Sequence, residues 1–432
     1  MTSAPDCSIV RPGERAPTTI RILNPLRVRD FRLLWAGMTI SALGDGIFTV
    51  ALAWGVYDIS NTPTALSLVG VAWFLPEIAA VLLAGVLADR VDRRLLMIGA
   101  DVLRAAAIGV LGILSVAGQL ELWHVWVLVA LYGIGNSFFY PAYTALVPQV
   151  LPRDQLVQAA ALRQFVRPLT MRVIGPALGG AIVAVAGAGA GFLIDAATFG
   201  ASIAALVFMT PRPVPRAVGK TVGTVFGDMA DGLRYVLSQR WLALTLLGVT
   251  ISMVFFLGPV FVLMPFVVKN HLNGGAGGLG LVLSAGGIGA LIASLSMAQR
   301  GLPRRPLFVV YVAWAIAAFC LVGYAESGAV WEAALVSALS VGSLITGQIL
   351  WESLLQRSVP GEYLGRVASV DSFVSSGLVP LSLAITGPIA GALGTLVTLR
   401  WAGVIAGGVL LGFLAIVSSA TALQPRPDPG RA

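Results

Sequence analysis

The residues of this chain that could do chemistry are a few ionisable side chains inside long apolar runs. Asp45 stands between two glycines, and Glu77 follows Pro76 in the next apolar run. A carboxyl group that is withdrawn from water but reachable from a cavity is suited to binding and releasing a proton. The alternative for Asp45 is a structural pairing with an intramembrane arginine. The alternative for Glu77 is to line a wet cavity and set its polarity.

Other polar and aromatic residues could bind a ligand in the same region. Arg172 lies deep in an apolar run and needs an anionic partner, either a neighbouring acid or a group on a substrate. Asp101 and Arg104 are three residues apart and can pair on one helix face. Asp195 is expected to reach the lipid headgroups near a helix end. Several aromatic residues could stack on a hydrophobic molecule, although each is equally suited to packing or interface anchoring: Trp73, Phe138, Phe139, Tyr140, Tyr143, Phe255 and Phe256.

The elements that position these residues are membrane helices. The chain is 57% hydrophobic and 11% charged, with a mean hydropathy of +0.88, which excludes a soluble globular domain. The apolar runs reach about 20 residues, enough to cross a bilayer core, and a lipid-embedded backbone must satisfy itself as a helix. We therefore predict an all-α integral membrane protein. Its spans 1 to 12 are 32–57, 64–88, 95–117, 123–146, 157–186, 190–210, 241–267, 277–298, 306–325, 330–355, 363–393 and 396–420.

Basic residues predict the orientation of these spans. Of 28 lysines and arginines, Lys269 and Arg400 fall in the connections on one side. Arg104, Arg167 and Arg172 lie within spans, and the others fall on the side of the two termini. Basic connections stay in the cytoplasm, so both termini are predicted to be cytoplasmic. The net charge of +8 is explained by this asymmetry, and we expect no nucleic-acid partner.

The chain is organised as two related halves. Predicted boundaries are a cytoplasmic tail at 1–30, a six-helix half at 31–210, a cytoplasmic linker with an interfacial helix at 211–240, a second half at 241–420 and a tail at 421–432. Spans 5 and 11 share Pro-x-acid-x-Leu before the helix and Gly-Pro-x-x-Gly within it. Such parallel repeats indicate pseudo-symmetric halves.

Residues 85–96, Gly-Val-Leu-Ala-Asp-Arg-Val-Asp-Arg-Arg-Leu-Leu, form a short charged connection between spans 2 and 3. This segment resembles the loop signature of the major facilitator superfamily, with Asp92 in place of a second glycine. The resemblance implies a twelve-helix major facilitator fold. It also implies a conformational latch between the two halves, made by Gly85, Asp89, Arg90, Arg93, Arg94, Asp101 and Arg104.

Two further resemblances concern function. In span 5, Gly175, Pro176, Gly179 and Gly180 resemble the end of the antiporter signature of drug:proton exporters, although Met171 replaces an upstream glycine. Span 4 lacks the arginine that many of these antiporters carry. Residues 33–35, 44–46, 85–104 and 365–369 resemble the macrolide-efflux and enterobactin-exporter branch of the superfamily.

The resemblance implies a bacterial cytoplasmic-membrane exporter of amphipathic small molecules such as antibiotics. It would act as a monomer, by proton antiport with alternating access. Export of a siderophore or another endogenous metabolite is the alternative, with Arg172 meeting an anionic group. A non-transporting receptor or scaffold is a third possibility. The sequence shows no nucleophile–base set, phosphate loop or metal cluster, so neither an enzyme nor a cofactor is expected, and the proton gradient is the expected energy source.

Overall fold

The computed structural model describes residues 21–211 and 222–422, without the side chains of a few residues such as Asp89 and Arg90. Within these ranges every regular element is a helix. Spans 1 to 4 are Arg29–Ile59, Pro63–Arg90, Arg93–Val116 and Leu122–Val150. Spans 8, 9, 10 and 12 are Gly275–Arg300, Pro306–Glu326, Val330–Ser358 and Thr395–Ala422. A separate helix, Val222–Ser238, precedes span 7.

Spans 5, 7 and 11 are interrupted helices. Span 5 joins Leu156–Leu169 to Gly175–Val207 through a π turn at Thr170–Ile174. Span 7 joins Arg240–Gly258 to Met264–Asn270 through a π turn at Pro259–Leu263. Span 11 consists of Gly361–Gly377 and Val379–Leu393. Prolines follow or begin these breaks, because proline cannot donate the backbone hydrogen bond that continues a regular helix.

Single glycines separate the two longest helical runs into four spans. The run Arg153–Val207 has 55 residues and would be roughly 80 Å long as one helix, against a hydrocarbon core of about 30 Å. It reverses at Gly187, whose φ of 79° is readily available only to glycine. Gly394, with a φ of 90°, separates spans 11 and 12 in the same way. Residues 21–211 and 222–422 therefore form twelve apolar spans, and the predicted fold class is confirmed.

Small residues bring the two halves into contact along two seams. In the first seam, spans 5 and 8 touch at bare backbone: a Cβ on Gly180 would lie 2.9 Å from the Cα of Gly280. The Ser284 hydroxyl donates to the Val173 carbonyl across this seam at 2.8 Å. In the second seam, the Ser67 hydroxyl of span 2 donates to the Leu383 carbonyl of span 11. Each half thus contributes one interrupted helix to a seam.

The residues that resemble the antiporter signature lie in and beside the first seam. A Cβ on Gly175 would lie 2.7 Å from the Cα of Gly46, and one on Gly179 would lie 2.9 Å from the Cα of Ile47. Span 5 therefore packs against span 1 through these two glycines. The Pro176 carbonyl and Gly180 face span 8, where a Cβ on Gly280 would lie 2.5 Å from that carbonyl oxygen. Span 5 is held closely on both sides.

We call the end of the bundle away from residues 21 and 422 the distal end, and there the halves are also in polar contact. The Tyr57 hydroxyl donates to the Val262 carbonyl at 2.6 Å. Lys269 forms an ion pair with Asp58 at 2.5 Å, and Asn61 bonds the amide of Asn270 at 2.6 Å. The distal end is therefore closed.

The distal end is predicted to face the outside of the cell. In a background carrying Cys7→Ser and Cys320→Ala, we expect an impermeant maleimide to label Asn61→Cys on intact cells. Arg304→Cys should be labelled only after the membrane is permeabilised, because it lies at the opposite end of the bundle. The reverse labelling pattern would overturn the orientation derived from the basic residues.

Candidate functional site

A cavity of about 350 Å³ lies inside the N-terminal half. Its lining combines charged, amide and aromatic side chains. The charged and amide side chains that line it are Asp45, Glu77, Arg104, Asn136 and Arg167. Its other lining residues are Met38, Ser41, Ala42, Val81, Ser137, Phe139, Tyr140, Pro141 and Tyr143. Spans 1 to 5 thus converge on one cavity with ionisable groups of both signs.

Asp45 is held in place by a tyrosine. Its Oδ1 accepts a hydrogen bond from the Tyr132 hydroxyl at 2.8 Å. The Tyr132 ring packs against Phe48 and Trp73, with ring centroids 4.9 and 5.2 Å away. The carboxyl group is therefore fixed at one end by a rigid aromatic cluster while it borders the cavity.

Glu77 lines the same cavity from span 2. Its Oε1 accepts a hydrogen bond from the Asn136 amide at 2.7 Å. Its buried Oε2 has no hydrogen-bond partner in the described part of the chain. Because one of its two carboxyl oxygens makes no hydrogen bond, Glu77 can bind a proton or accept a hydrogen bond from a ligand.

Asp101 and Arg104 form an ion pair that is buried in the half. The Arg104 guanidinium also lies between the rings of Phe139 and Phe199, 4.4 and 4.5 Å from their centroids. The missing side chain of Gly135 provides space, since a Cβ there would lie 2.7 Å from Arg104 Cγ. The structure places this pair beside Asp45, in the interior of the half, and away from the connection at 85–96.

A second, apolar chamber of about 200 Å³ lies between the halves. Trp73 lines it and stands 6.3 Å from the ring of Phe261 in the other half. The remaining lining residues are Thr49, Leu52, Ala53, Leu66, Leu257, Val260, Met264, Pro265 and Leu283. Trp73 lines this chamber and packs against Tyr132, which donates a hydrogen bond to Asp45 on the polar cavity.

The other predicted ligand-binding residues are distributed unevenly. Tyr143 lines the polar cavity, together with its neighbours Phe139 and Tyr140. Phe138 packs in the adjoining apolar cluster, and Phe255 packs against the main core. The Arg172 side chain is exposed and forms no ion pair within residues 21–211 and 222–422. The hypothetical pairing of Asp45 with Arg172 is therefore not the one that the structure makes.

A family model described as transmembrane secretion effector matches residues 20–427. The chain belongs to this family of major facilitator superfamily transporters. It is similar to macrolide efflux protein A of Streptococcus pyogenes, with 25% identity over 84% of this chain and 90% of the relative. It is also similar to multidrug efflux pump Tap of Mycobacterium tuberculosis, with 27% identity over 86% of this chain and 89% of the relative.

Solved structures show the same fold. The nucleoside transporter NupG superposes with a TM-score of 0.69 at 11% identity, over 92% of this chain and all of NupG. A bacterial homologue of the iron transporter ferroportin in an inward-facing state gives 0.68 at 16% identity, over 90% of this chain and 98% of the homologue. The predicted family and transporter class are confirmed, and the protein is not an enzyme.

The charged connection of this transporter binds its own half in the closed-distal conformation. Arg93 donates to the Ala145 carbonyl at 2.9 Å. Arg94 donates to the carbonyls of Leu206 and Val207 at 2.6 and 2.7 Å. Gly85 has open space around its Cα, and the side chains of Asp89 and Arg90 lie outside the described residues. A latch to the other half stays a prediction for the opposite conformation.

The structure adds Asp195 to the site, contrary to its expected position at the headgroups. Asp195 is fully buried, and its Oδ1 receives a hydrogen bond from Thr198 at 3.3 Å. A Cβ on Gly44 would collide with Asp195 and Thr198, so span 6 packs into the groove beside Asp45. The spacing of Asp195, Thr198 and Ser202 along one helix face was a usable signal, because polar residues in an apolar span face the protein interior.

Proposed function

We propose that this protein exports amphipathic small molecules, including antibiotics, from the bacterial cytoplasm by proton antiport. The observation that carries the proposal is the position of Asp45 and Glu77 on a cavity within the membrane. Intramembrane carboxyl groups are retained where ions or protons move. The relatives named for macrolide efflux and multidrug efflux support the same substrate class.

The two adjoining spaces suit a molecule with an apolar body and a polar group. An apolar part fits the chamber lined by Trp73 and Phe261, while a polar or cationic part lies near Asp45 and Glu77. With the distal end closed, this conformation loads substrate from the cytoplasm. The two seams and the Asp58–Lys269 ion pair then open, and the substrate is released outside.

In this proposal the proton gradient supplies the energy and no cofactor takes part. The protein works as a monomer in the lipid bilayer, with both termini in the cytoplasm. Asp45 binds a proton from outside in one conformation and releases it to the cytoplasm in the other. Substrate and proton are then exchanged because each is bound better in a different state.

Export of an anionic metabolite such as a siderophore is a second candidate. Arg167 lines the polar cavity, and Arg172 has no ion-pair partner in the described ranges. Either guanidinium could bind a carboxylate or catecholate on such a substrate. This candidate differs from drug export in the charge of the cargo.

Accumulation assays test the proposal. Cells with and without the protein are loaded with a macrolide, a cationic dye or a ferric siderophore, before and after a protonophore. We expect less macrolide and dye in the expressing cells, and the difference should vanish when the proton gradient collapses. Export of the siderophore alone would favour the second candidate. Efflux that is unchanged when the proton gradient collapses would contradict antiport.

A further inference from the structure

Asp195 is a buried carboxyl group that has no role in the transport cycle described above. Its exposed fraction is 0%. Its Oδ2 has no hydrogen-bond partner among residues 21–211 and 222–422, and its Oδ1 receives only the long hydrogen bond from Thr198. An ionised carboxylate in this position would lose its hydration without compensation.

The charged surroundings of Asp195 are short of cations. Span 1 brings Asp45 close, span 3 brings Asp101 and Arg104, and span 4 brings the Tyr132 hydroxyl. Arg104 is already ion-paired with Asp101 and is held between two aromatic rings. Arg104 is the cation that interacts with Asp195, and it also interacts with Asp45, Glu77 and Asp101. Arg167 on the cavity wall interacts with Asp45. Four carboxyl groups are therefore near two guanidinium groups, and like charges this close disfavour full ionisation.

Asp45 connects this buried group to the cavity. Asp45 lines the cavity, whereas Asp195 does not. The two carboxyl groups interact electrostatically, and both interact with the Tyr132 hydroxyl. The bare Cα of Gly44, one residue before Asp45, allows Asp195 to pack directly on the span 1 backbone.

We infer that Asp195 is a second proton-binding site, sealed from the cavity and loaded through Asp45. The inference rests on the proposed proton antiport. When Asp45 is ionised, the proton on Asp195 passes to it and leaves Asp195 ionised beside Arg104, so the charge of the pair is conserved. Release from Asp45 into the cavity then leaves both carboxyl groups ionised, and because that state is disfavoured the pair takes up protons again in the next step of the cycle. The pair can therefore exchange two protons where Asp45 alone exchanges one.

Infrared difference spectroscopy on the purified protein in lipid vesicles tests this site without any transport. A protonated carboxyl group with an unbonded oxygen gives a high-frequency C=O stretching band. We expect this band in the unmodified protein at acidic pH and its loss in Asp195→Asn. Proton uptake on acidification should fall by about one per protein in the same variant. In Thr198→Val, which keeps the carboxyl group, the band should remain with a shifted frequency.

The outcomes separate this site from the proposed function. An unchanged band and an unchanged proton count in Asp195→Asn would overturn the inference, even if gradient-driven efflux is observed. Efflux that does not depend on the proton gradient would contradict antiport, whereas the C=O stretching band would still report a proton on Asp195. If Asp195→Asn does not fold, Asp195→Glu decides, because a shifted band supports the site and an unshifted band overturns it.

Discussion

Replacement of Asp45 by asparagine should abolish proton-driven efflux while the protein stays folded. Asparagine keeps the shape of the side chain, and its carbonyl oxygen can still accept the hydrogen bond from Tyr132. Asp45 makes no direct ion pair among the described residues. Of the two arginines that interact with it electrostatically, Arg104 keeps its ion pair with Asp101 and Arg167 lines the cavity. We expect the free energy of unfolding to change by less than about 1 kcal/mol. The initial efflux rate should fall by at least about tenfold, equivalent to about 1.4 kcal/mol.

Proteoliposomes with an imposed pH gradient provide the measurement, with a macrolide as the substrate. Two matched variants of the same cavity serve for comparison. Tyr132→Phe removes the hydrogen bond but not the carboxyl group, and should remain proton-coupled with an altered pH profile. Glu77→Gln shows whether the second carboxyl group is also required. A folded Asp45→Asn protein with normal gradient-driven efflux would exclude Asp45 and leave Glu77 as the coupling residue.

Substitution of Gly280 by valine should also stop transport, through the closed seam. A side chain at this position would meet the Pro176 carbonyl at 2.5 Å and the Cα of Gly180 at 2.9 Å. These are backbone atoms that cannot turn away, and overpacking of this kind typically costs about 1–3 kcal/mol. In the proposed cycle the seam opens together with the distal end, so the cost falls on the conformation with the distal end closed. A bias of this size changes the ratio of the two states by about 5- to 150-fold.

Crosslinking between Asp58→Cys and Lys269→Cys measures how often the distal end closes. We expect Gly280→Val to reduce both the crosslinked fraction and the efflux rate by about tenfold. Gly277→Val, one turn earlier in span 8, is the matched control, since a Cβ at Gly277 meets open space. Equal crosslinking and efflux in Gly280→Val and the unmodified protein would show that the seam tolerates a side chain.

The membrane spans could be predicted from the sequence because a backbone in lipid must form its hydrogen bonds within the same segment, as a helix does. The predicted boundary between spans 5 and 6, at 186 and 190, encloses Gly187, where the helix reverses. The pairing of Asp101 with Arg104 also followed from local geometry, since residues three apart share a helix face. These features depend on neighbours in the sequence alone.

The rotation of each helix about its axis could not be predicted. Most of span 4 is apolar, so hydropathy does not distinguish Phe138, which does not line the cavity, from Phe139 and Tyr140, which do. The sequence position of Asp195, near a helix end, predicts a place at the headgroups, whereas the structure buries it. Its burial depends on Gly44 in another helix, and the periodicity of one helix does not show which distant residue packs against it.

The glycine reversals at Gly187 and Gly394 leave little polypeptide between helices at the distal end. The other connections there comprise only residues 60–62, 117–121, 271–274 and 327–329. With the distal end outside, as proposed, an extracellular protease would meet helix ends and a few short turns. Antibodies raised against linear peptides would have few accessible epitopes on intact cells. Conformation-specific binders selected on the folded protein are therefore the reagents of choice for detecting it there.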